Sequence, residues 1–301
     1  MKNKIALLLV LYNDVEHLKS LLRSVKKQLS VDISIFAIDC HPNQKSIKYL
    51  KDHYTDLYTY DYHGNLGYAA GNNYLIKKAY ENGYDVAVIS NTDVILDSEC
   101  FNNLKKSLLK PYSLVSPLLY FGNPKNPKGL HSYGEQLNTK SLKVEVVNDK
   151  DTDISILPDF KETNIVTGCL FMFNIQSFIT IGLFNEDGFM YGEEVDLALK
   201  YKEHGLRMLC VKHAQAWHNH REKDNRVLFD TSYYYIKRNF ILLCVRVKNL
   251  SALRSFLFLE LIKIPKIFIL AIKKKDLKGV RYYYKGILDG LRGVKGRNIN
   301  L

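Results

Sequence analysis

Polar side chains that could bind a metal ion follow a short apolar segment in the first third of the chain. Residues 85–89 read Asp-Val-Ala-Val-Ile, which predicts a buried strand, and Ser90–Asp93 reads Ser-Asn-Thr-Asp, which is typical of a turn. Ligands of α/β proteins bind at the carboxyl ends of strands, where a carboxylate can hold a hard divalent cation. Asp93 is therefore a candidate metal ligand. The alternative is an ordinary turn in which Asp93 accepts backbone hydrogen bonds.

Three carboxylates, Glu193, Glu194 and Asp196, lie within four residues at the predicted start of a helix. Acidic residues are common at this position because they stabilise the positive end of the helix dipole. The other interpretation is that one of the three points into a cleft and acts as a general base.

Two further features could bind an anionic or nucleotide ligand. Residues 64–73 contain three Gly and three Asn and open a predicted helix, so a ligand could approach the backbone closely and meet free N–H groups. Asp39 ends the apolar segment 33–38, where it could accept hydrogen bonds from a nucleobase or ribose. The alternative for residues 64–73 is a plain loop, and the alternative for Asp39 is a helix cap.

The elements that position these residues alternate between strand and helix. Strands are predicted at 5–11, 33–38, 57–60 and 85–89, with helices at 15–28, 46–51 and 74–79 between them. This alternation predicts an α/β fold with a doubly wound, mostly parallel sheet. Later strands are predicted at 114–119, 165–173 and 207–211. The intervening segment 120–160 is rich in Asn, Pro, Gly and Asp, and is interpreted as an irregular loop over the acceptor side of the cleft.

Cysteine content and the distribution of charge indicate the cellular compartment and the domain organisation. The five Cys residues of this 301-residue chain form no CxxC pair, which suits reduced thiols in the cytoplasm. Residues 226–301 contain 17 basic and four acidic residues, whereas residues 1–225 are nearly neutral. We therefore expect a catalytic domain at 1–225 and a basic, aromatic-rich helical region at 226–301.

The apolar segment 253–272 is interrupted by Arg254, Glu260, Lys263, Pro265 and Lys266, which disfavours a bilayer span. Its mixture of apolar, aromatic and basic residues favours a helix in the interface of an anionic membrane. Alternatives are packing on the catalytic domain or a homodimer surface. No nucleic-acid module is recognisable, so nucleic acid is not an expected partner.

Taken in order, the motifs resemble the family 2 glycosyltransferases, in particular the bacterial rhamnosyltransferase-like branch that builds surface polysaccharides. The matching segments extend from residue 10 to residue 218. They are Val-Leu-Tyr-Asn at 10–13, Asp39, Asn-Leu-Gly-Tyr-Ala-Ala-Gly-Asn-Asn at 65–73, Asn-Thr-Asp at 91–93, Thr-Gly-Cys-Leu at 167–170, Phe-Met-Tyr-Gly-Glu-Glu-Val-Asp-Leu at 189–197 and Trp-His at 217–218.

The resemblance implies a GT-A fold, a nucleotide-sugar donor, a divalent metal (Mg²⁺ or Mn²⁺) and inversion at the anomeric carbon. It implies Glu194 as the catalytic base, Glu193 on the acceptor side, and Asp93 and His218 as metal ligands. The residues that it implies on the nucleotide side are Tyr12, Asn13, Asp39, Asn65, Gly67 and Asn91.

The sequence departs from the family pattern at four places. The first motif has Leu11 where Thr is common, and Cys40-His41 follows Asp39 where another motif is usual. Asn91 replaces the first Asp of the metal motif, and the base is Glu rather than Asp.

The expected reaction is transfer of L-rhamnose from dTDP-rhamnose to a lipid-linked saccharide, by a peripheral enzyme at the inner face of the cell membrane. One alternative keeps the fold but uses a UDP-hexose or UDP-N-acetylhexosamine donor. Another is a non-catalytic, membrane-associated scaffold with a degenerate nucleotide site.

Overall fold

A computed structural model describes residues 4–60, 64–145, 151–219 and 229–298 of the chain. The first part alternates strands and helices as predicted. Its elements are β1 (Lys4–Leu11), α1 (Val15–Val25), β2 (Asp32–Asp39), α2 (Lys45–His53), β3 (Leu57–Tyr60), α3 (Gly67–Glu81) and β4 (Val86–Ser90). Strand β1 lies between β2 and β4, β3 pairs with β2, and all these pairs are parallel.

Helices cover both faces of this parallel unit, which explains why its strands are almost continuously apolar. Successive side chains of β1 point to opposite faces, so Leu7 and Leu9 pack with Leu21 of α1. Ala6 and Leu8 pack with Leu75 and Ile76 of α3 on the other face.

The second part extends the sheet with strands of both directions. Its elements are β5 (Val94–Leu96), α4 (Cys100–Ser107), β6 (Tyr112–Asn123), β7 (Asn126–Ser132), β8 (Gln136–Asn138), β9 (Lys143–Glu145), β10 (Phe160–Thr163), β11 (Leu170–Asn174), α5 (Ile175–Thr180), α6 (Glu193–Glu203) and β12 (Arg207–His218). The strand order is β10-β12-β6-β11-β4-β1-β2-β3. Four of the seven neighbouring pairs in this order are parallel, and β11 runs antiparallel to both of its neighbours.

The interpretation of residues 120–160 as an irregular loop was wrong. Strand β6 continues to Asn123 and forms an antiparallel hairpin with β7, and β8 pairs with β9. Gly122, Pro124 and Asn138, which suggested a loop, lie at or beside the turns of the β6–β7 and β8–β9 hairpins. Leu118, Leu130 and Tyr133 bury one face of the hairpin against Leu157 and Cys210. The predicted strand at 165–173 also begins later, at Leu170.

Three helices end the chain: α7 (Thr231–Arg246), α8 (Leu250–Lys274) and α9 (Leu277–Leu291). They share an apolar core that includes Ile241, Ile267 and Ile287. Leu243 and Cys244 of α7 pack in a second cluster with Val195 of α6, so the helical region contacts the rest of the protein. No helix within the described ranges is long and apolar enough to cross a membrane. The expected boundary between residues 225 and 226 lies outside those ranges.

Candidate active site

The carboxyl ends of β1, β2 and β4 meet at one edge of the sheet, and we call residues 12–14, 39–41 and 91–93 at these ends the sheet edge. Leu11 pairs with Asp39 in the register of β1 and β2. The hydroxyl of Thr92 donates to Asp14 over 3.2 Å, which ties the segment after β4 to the segment after β1. Polar residues far apart in sequence are thus brought together, as the alternation of elements predicted.

The predicted nucleotide residues after β1 and β2 are adjacent. Tyr12 is half exposed, and its ring meets the edge of His41 at a centroid distance of 5.0 Å. Asn13 accepts a hydrogen bond from the side chain of Asn43 over 3.1 Å. Asp39 is buried, and its Oδ1 accepts from the backbone N–H of His41 over 3.0 Å. Its Oδ2 has no hydrogen-bond partner among the described residues, so this oxygen can accept a hydrogen bond from a ligand.

The Gly-rich turn at the start of α3 packs closely against another segment of the protein, where a ligand had been expected. Asn65 accepts from the backbone N–H of Gly67, which has a φ of +76°. A Cβ at Gly67 would overlap the backbone oxygen of Phe189, and Tyr68 donates its N–H to that oxygen over 2.9 Å. The glycine is therefore explained by the approach of residues 186–192, which we call the 186–192 loop.

Asp93 and His218, the two predicted metal ligands, are neighbours. Val94 pairs with His218 in the register of β5 and β12, and the Asp93 Oδ1 lies 3.2 Å from the His218 Nε2. Cys169 and His131 also belong to this group, since one ligand atom from each of His131, Cys169 and His218 lies within 4.8 Å of the others.

The protonation of His218 is set by two opposing effects. Burial disfavours the charged imidazolium, but the neighbouring Cys169 and Asp93 outweigh burial and raise the pKa of His218 to about 10. A cation that binds here has to displace a proton from the imidazole.

A cavity of about 410 Å³ opens between this group and α6. It is lined by Tyr68, Asn91, His131, Thr167, Gly168, Cys169, Met190, Tyr191, Glu193, Glu194 and His218. The predicted base, the predicted acceptor-side residue and the predicted metal ligand His218 therefore line the same cavity. The predicted residues Tyr12, Asn13, Asp39, Asn65 and Gly67 are not among those that line it.

Two of the three clustered carboxylates face the cavity. Glu193 is 5% exposed, and Glu194 fits closely against Gly168, where any side chain would collide with the Glu194 carboxylate. Burial raises the pKa of both carboxyl groups, and the charge of Glu194 raises the pKa of Glu193 further. Asp196 instead forms ion pairs with Arg246 and, over 3.4 Å, with Lys200. Asp196 therefore joins α6 to α7.

Helix α7 holds the 186–192 loop from behind. The side-chain amide of Asn239 donates to the backbone oxygens of Met190 and Tyr191, each over 2.7 Å. Arg238 is fully buried and donates to the backbone oxygen of Gly188 over 2.8 Å. The helical region thereby fixes the segment that leads directly into Glu193.

Sequence reasoning missed several contributors to this site. His131 lies in β7, within the segment that was interpreted as a loop, and no motif distinguished it. Cys169 belonged to a matching motif but received no role. Arg238 and Asn239 are 50 and 51 residues away in sequence from the glycine whose oxygen they bind, so no local pattern could reveal the contact.

Comparison with known proteins finds a similar fold but no similar sequence. No protein-family model and no curated protein sequence matches the chain. Among solved structures, that of GalNAc-T7 with UDP, GalNAc and Mn²⁺ superposes with a TM-score of 0.63 at 15% sequence identity. The match covers 80% of this chain and 47% of that one. The chain therefore has a GT-A fold. The predicted fold class is confirmed.

Proposed function

We propose that this protein is a metal-dependent glycosyltransferase that transfers a sugar from a nucleotide-sugar to an acceptor hydroxyl. The observation that carries the proposal is the shared cavity in which Glu193 and Glu194 face Asn91 and His218, beside Asp93 at the sheet edge. A transferase of this kind needs a cation at the diphosphate and a base near the acceptor, and these side chains supply both kinds of group. The GT-A fold of a nucleotide-sugar enzyme supports the same conclusion.

The donor atoms around His218 fit a divalent metal. Asp93 supplies a carboxylate, His218 and His131 supply imidazoles, and Cys169 supplies a thiol. Carboxylate oxygens such as those of Asp93 suit both Mg²⁺ and Mn²⁺, and we favour Mn²⁺ because the solved structure with the same fold contains it. When bound, the cation neutralises charge on the diphosphate leaving group.

The protein side chains account for the remaining chemistry. Glu194 accepts the proton of the acceptor hydroxyl as that oxygen attacks the anomeric carbon. The bond to the diphosphate breaks in the same displacement, which inverts the anomeric configuration. Glu193, one residue earlier, orients the acceptor. Asp39, with its unpartnered buried oxygen, binds the nucleoside together with Tyr12 and Asn13.

Two donors are candidates. The motifs favour dTDP-L-rhamnose, because they resemble the rhamnosyltransferase-like branch. A UDP-hexose or UDP-N-acetylhexosamine is the second candidate, since the solved structure with the same fold contains UDP and GalNAc. We propose a lipid-linked saccharide as the acceptor and the inner face of the cell membrane as the place of reaction.

A ligand screen followed by an activity assay tests the function. Thermal shift with dTDP, UDP and GDP, with and without Mn²⁺ or Mg²⁺, should show metal-dependent stabilisation by one nucleotide. The corresponding nucleotide-sugar should then release nucleoside diphosphate, and NMR of the product should show an inverted anomeric centre. Stabilisation without turnover of any nucleotide-sugar would indicate a non-catalytic nucleotide-binding protein and would contradict the proposal.

A further inference from the structure

One face of α8 exposes large apolar side chains at helical spacing. Six of them, at 258, 261, 262, 268, 269 and 272, recur at the three-, four- and seven-residue spacings of one helix face, so they lie along one stripe. Their exposed fractions range from 49% to 71%, for Phe258, Leu261, Ile262, Phe268, Ile269 and Ile272. We call these six residues the α8 stripe. Over its 15 residues it extends for about 22 Å, at about 1.5 Å per residue.

The rotation of α8 that exposes this stripe is fixed by its opposite face. Glu260 is 4% exposed and is ion-paired with Lys237 and Lys263, each over 3.0 Å. The hydroxyl of Tyr283 in α9 donates to the same carboxylate. Ile267 is buried on this face, one turn from Lys263. Turning the α8 stripe inward would break these contacts, so its exposure is built into the fold.

A basic groove lies beside the α8 stripe. A cavity of about 410 Å³ between α8, α7 and the β8–β9 hairpin is lined by Lys140, Lys143, Lys237 and Lys263. Glu260, already ion-paired, is the one acidic residue among its described lining residues. Leu259 lines the groove and is itself 39% exposed, so the groove and the stripe adjoin. Apolar and cationic surfaces thus lie side by side.

We infer that the α8 stripe and the basic groove form a docking surface for an anionic lipid membrane. Apolar side chains of an interfacial helix enter the boundary between headgroups and acyl chains, and lysines beside them bind the lipid phosphates. A symmetric dimer through this face would place two basic grooves in one interface, which like-charge repulsion disfavours. This docking surface rests on the proposed place of reaction at the inner face of the cell membrane, and it assigns the contact to α8 and the β8–β9 hairpin.

Flotation of the full chain with lipid vesicles tests the inference independently of sugar transfer. We expect binding to vesicles containing phosphatidylglycerol and much weaker binding to pure phosphatidylcholine. The Ile262→Ser/Ile269→Ser variant should lose most binding, because it removes two stripe residues. The Lys140→Ala/Lys143→Ala variant should bind anionic vesicles about 30-fold more weakly, at about 1 kcal/mol per basic residue near the surface.

The Lys26→Ala/Lys27→Ala variant is the matched charge control, because both lysines are exposed at the end of α1. It should bind like the wild type, and circular dichroism should show that all variants are folded. Equal binding of the stripe variant and the wild type would overturn the inference, as would equal effects of the groove and control variants. Light scattering without lipid adds a further test: a wild-type dimer that the stripe variant converts to monomer would assign the stripe to self-association instead.

Discussion

The sheet edge and the 186–192 loop are held in place by different kinds of structure. The sheet edge follows directly from parallel strands, each of which ends at a polar residue, and its hydrogen bonds link the ends of these strands, such as that of Thr92 with Asp14. The 186–192 loop is held by partners from distant parts of the chain, Asn239 in α7 and Tyr68 in α3. The first region depends on strand register, and the second depends on how a C-terminal helix docks.

This difference has a functional consequence. In the proposed mechanism the sheet edge binds the donor, whereas the loop leads into Glu193 and Glu194 on the acceptor side. Changes behind the loop should therefore affect turnover while leaving donor binding intact. Changes at the sheet edge should affect donor binding first.

The largest effect on turnover is expected from Glu194→Gln. The amide keeps the shape of the side chain against Gly168 but cannot accept a proton, so kcat should fall by about 10²–10⁴-fold. The donor dissociation constant, measured separately by calorimetry, should remain nearly unchanged.

Asp196→Asn is the matched control for this substitution, because Asp196 is paired with Lys200 and Arg246. It should lower the melting temperature and leave kcat close to that of the wild type. If Glu194→Gln keeps most of its turnover while Asp196→Asn or Glu193→Gln loses it, the base has been assigned to the wrong residue.

A smaller effect is expected from Asn239→Ala, which removes the donor to the backbone oxygens of Met190 and Tyr191. Because a small displacement of a catalytic group is costly, kcat should fall by about 10–100-fold with donor affinity retained. Asn249→Ala is a suitable control, since Asn249 caps α8 and contacts Lys140 rather than the loop. Equal kinetic effects of the two substitutions would show that α7 does not position the base.

The smallest effect is expected in the pH profile. Burial raises the pKa of Glu193 and Glu194, and a base acts only when ionised, so turnover should rise with pH through the raised pKa of Glu194. The charge of Glu194 raises the pKa of Glu193 further, so Glu194 ionises while Glu193 is still neutral. Glu193→Gln replaces this neutral carboxyl with a neutral amide, so the rising limb of kcat should stay at the same pH. A limb that moves to lower pH in the variant would show that Glu193 ionises first.

The two regions also differ in how far they could be predicted. The apolar segments and their polar ends indicated the strands that terminate at Asp39 and Ser90, because these strands are buried on both faces and read as continuous apolar runs. Strand β6 was predicted only in part, since its second half belongs to a hairpin with only one buried face. His131 could not be predicted as a neighbour of His218, because hairpin register, and not local sequence, brings their rings to 5.0 Å.

We propose that Asp93 at the sheet edge and the adjacent His218 of β12 hold a cation that binds the donor diphosphate. Calorimetric titration of dTDP and UDP into the wild type and Asp93→Ala, with and without Mn²⁺, tests it most directly. We expect one nucleotide to bind the wild type more tightly with Mn²⁺, and we expect folded Asp93→Ala to lose this gain. Equal metal-dependent affinity in both proteins, or no effect of Mn²⁺ on the wild type, would contradict the claim.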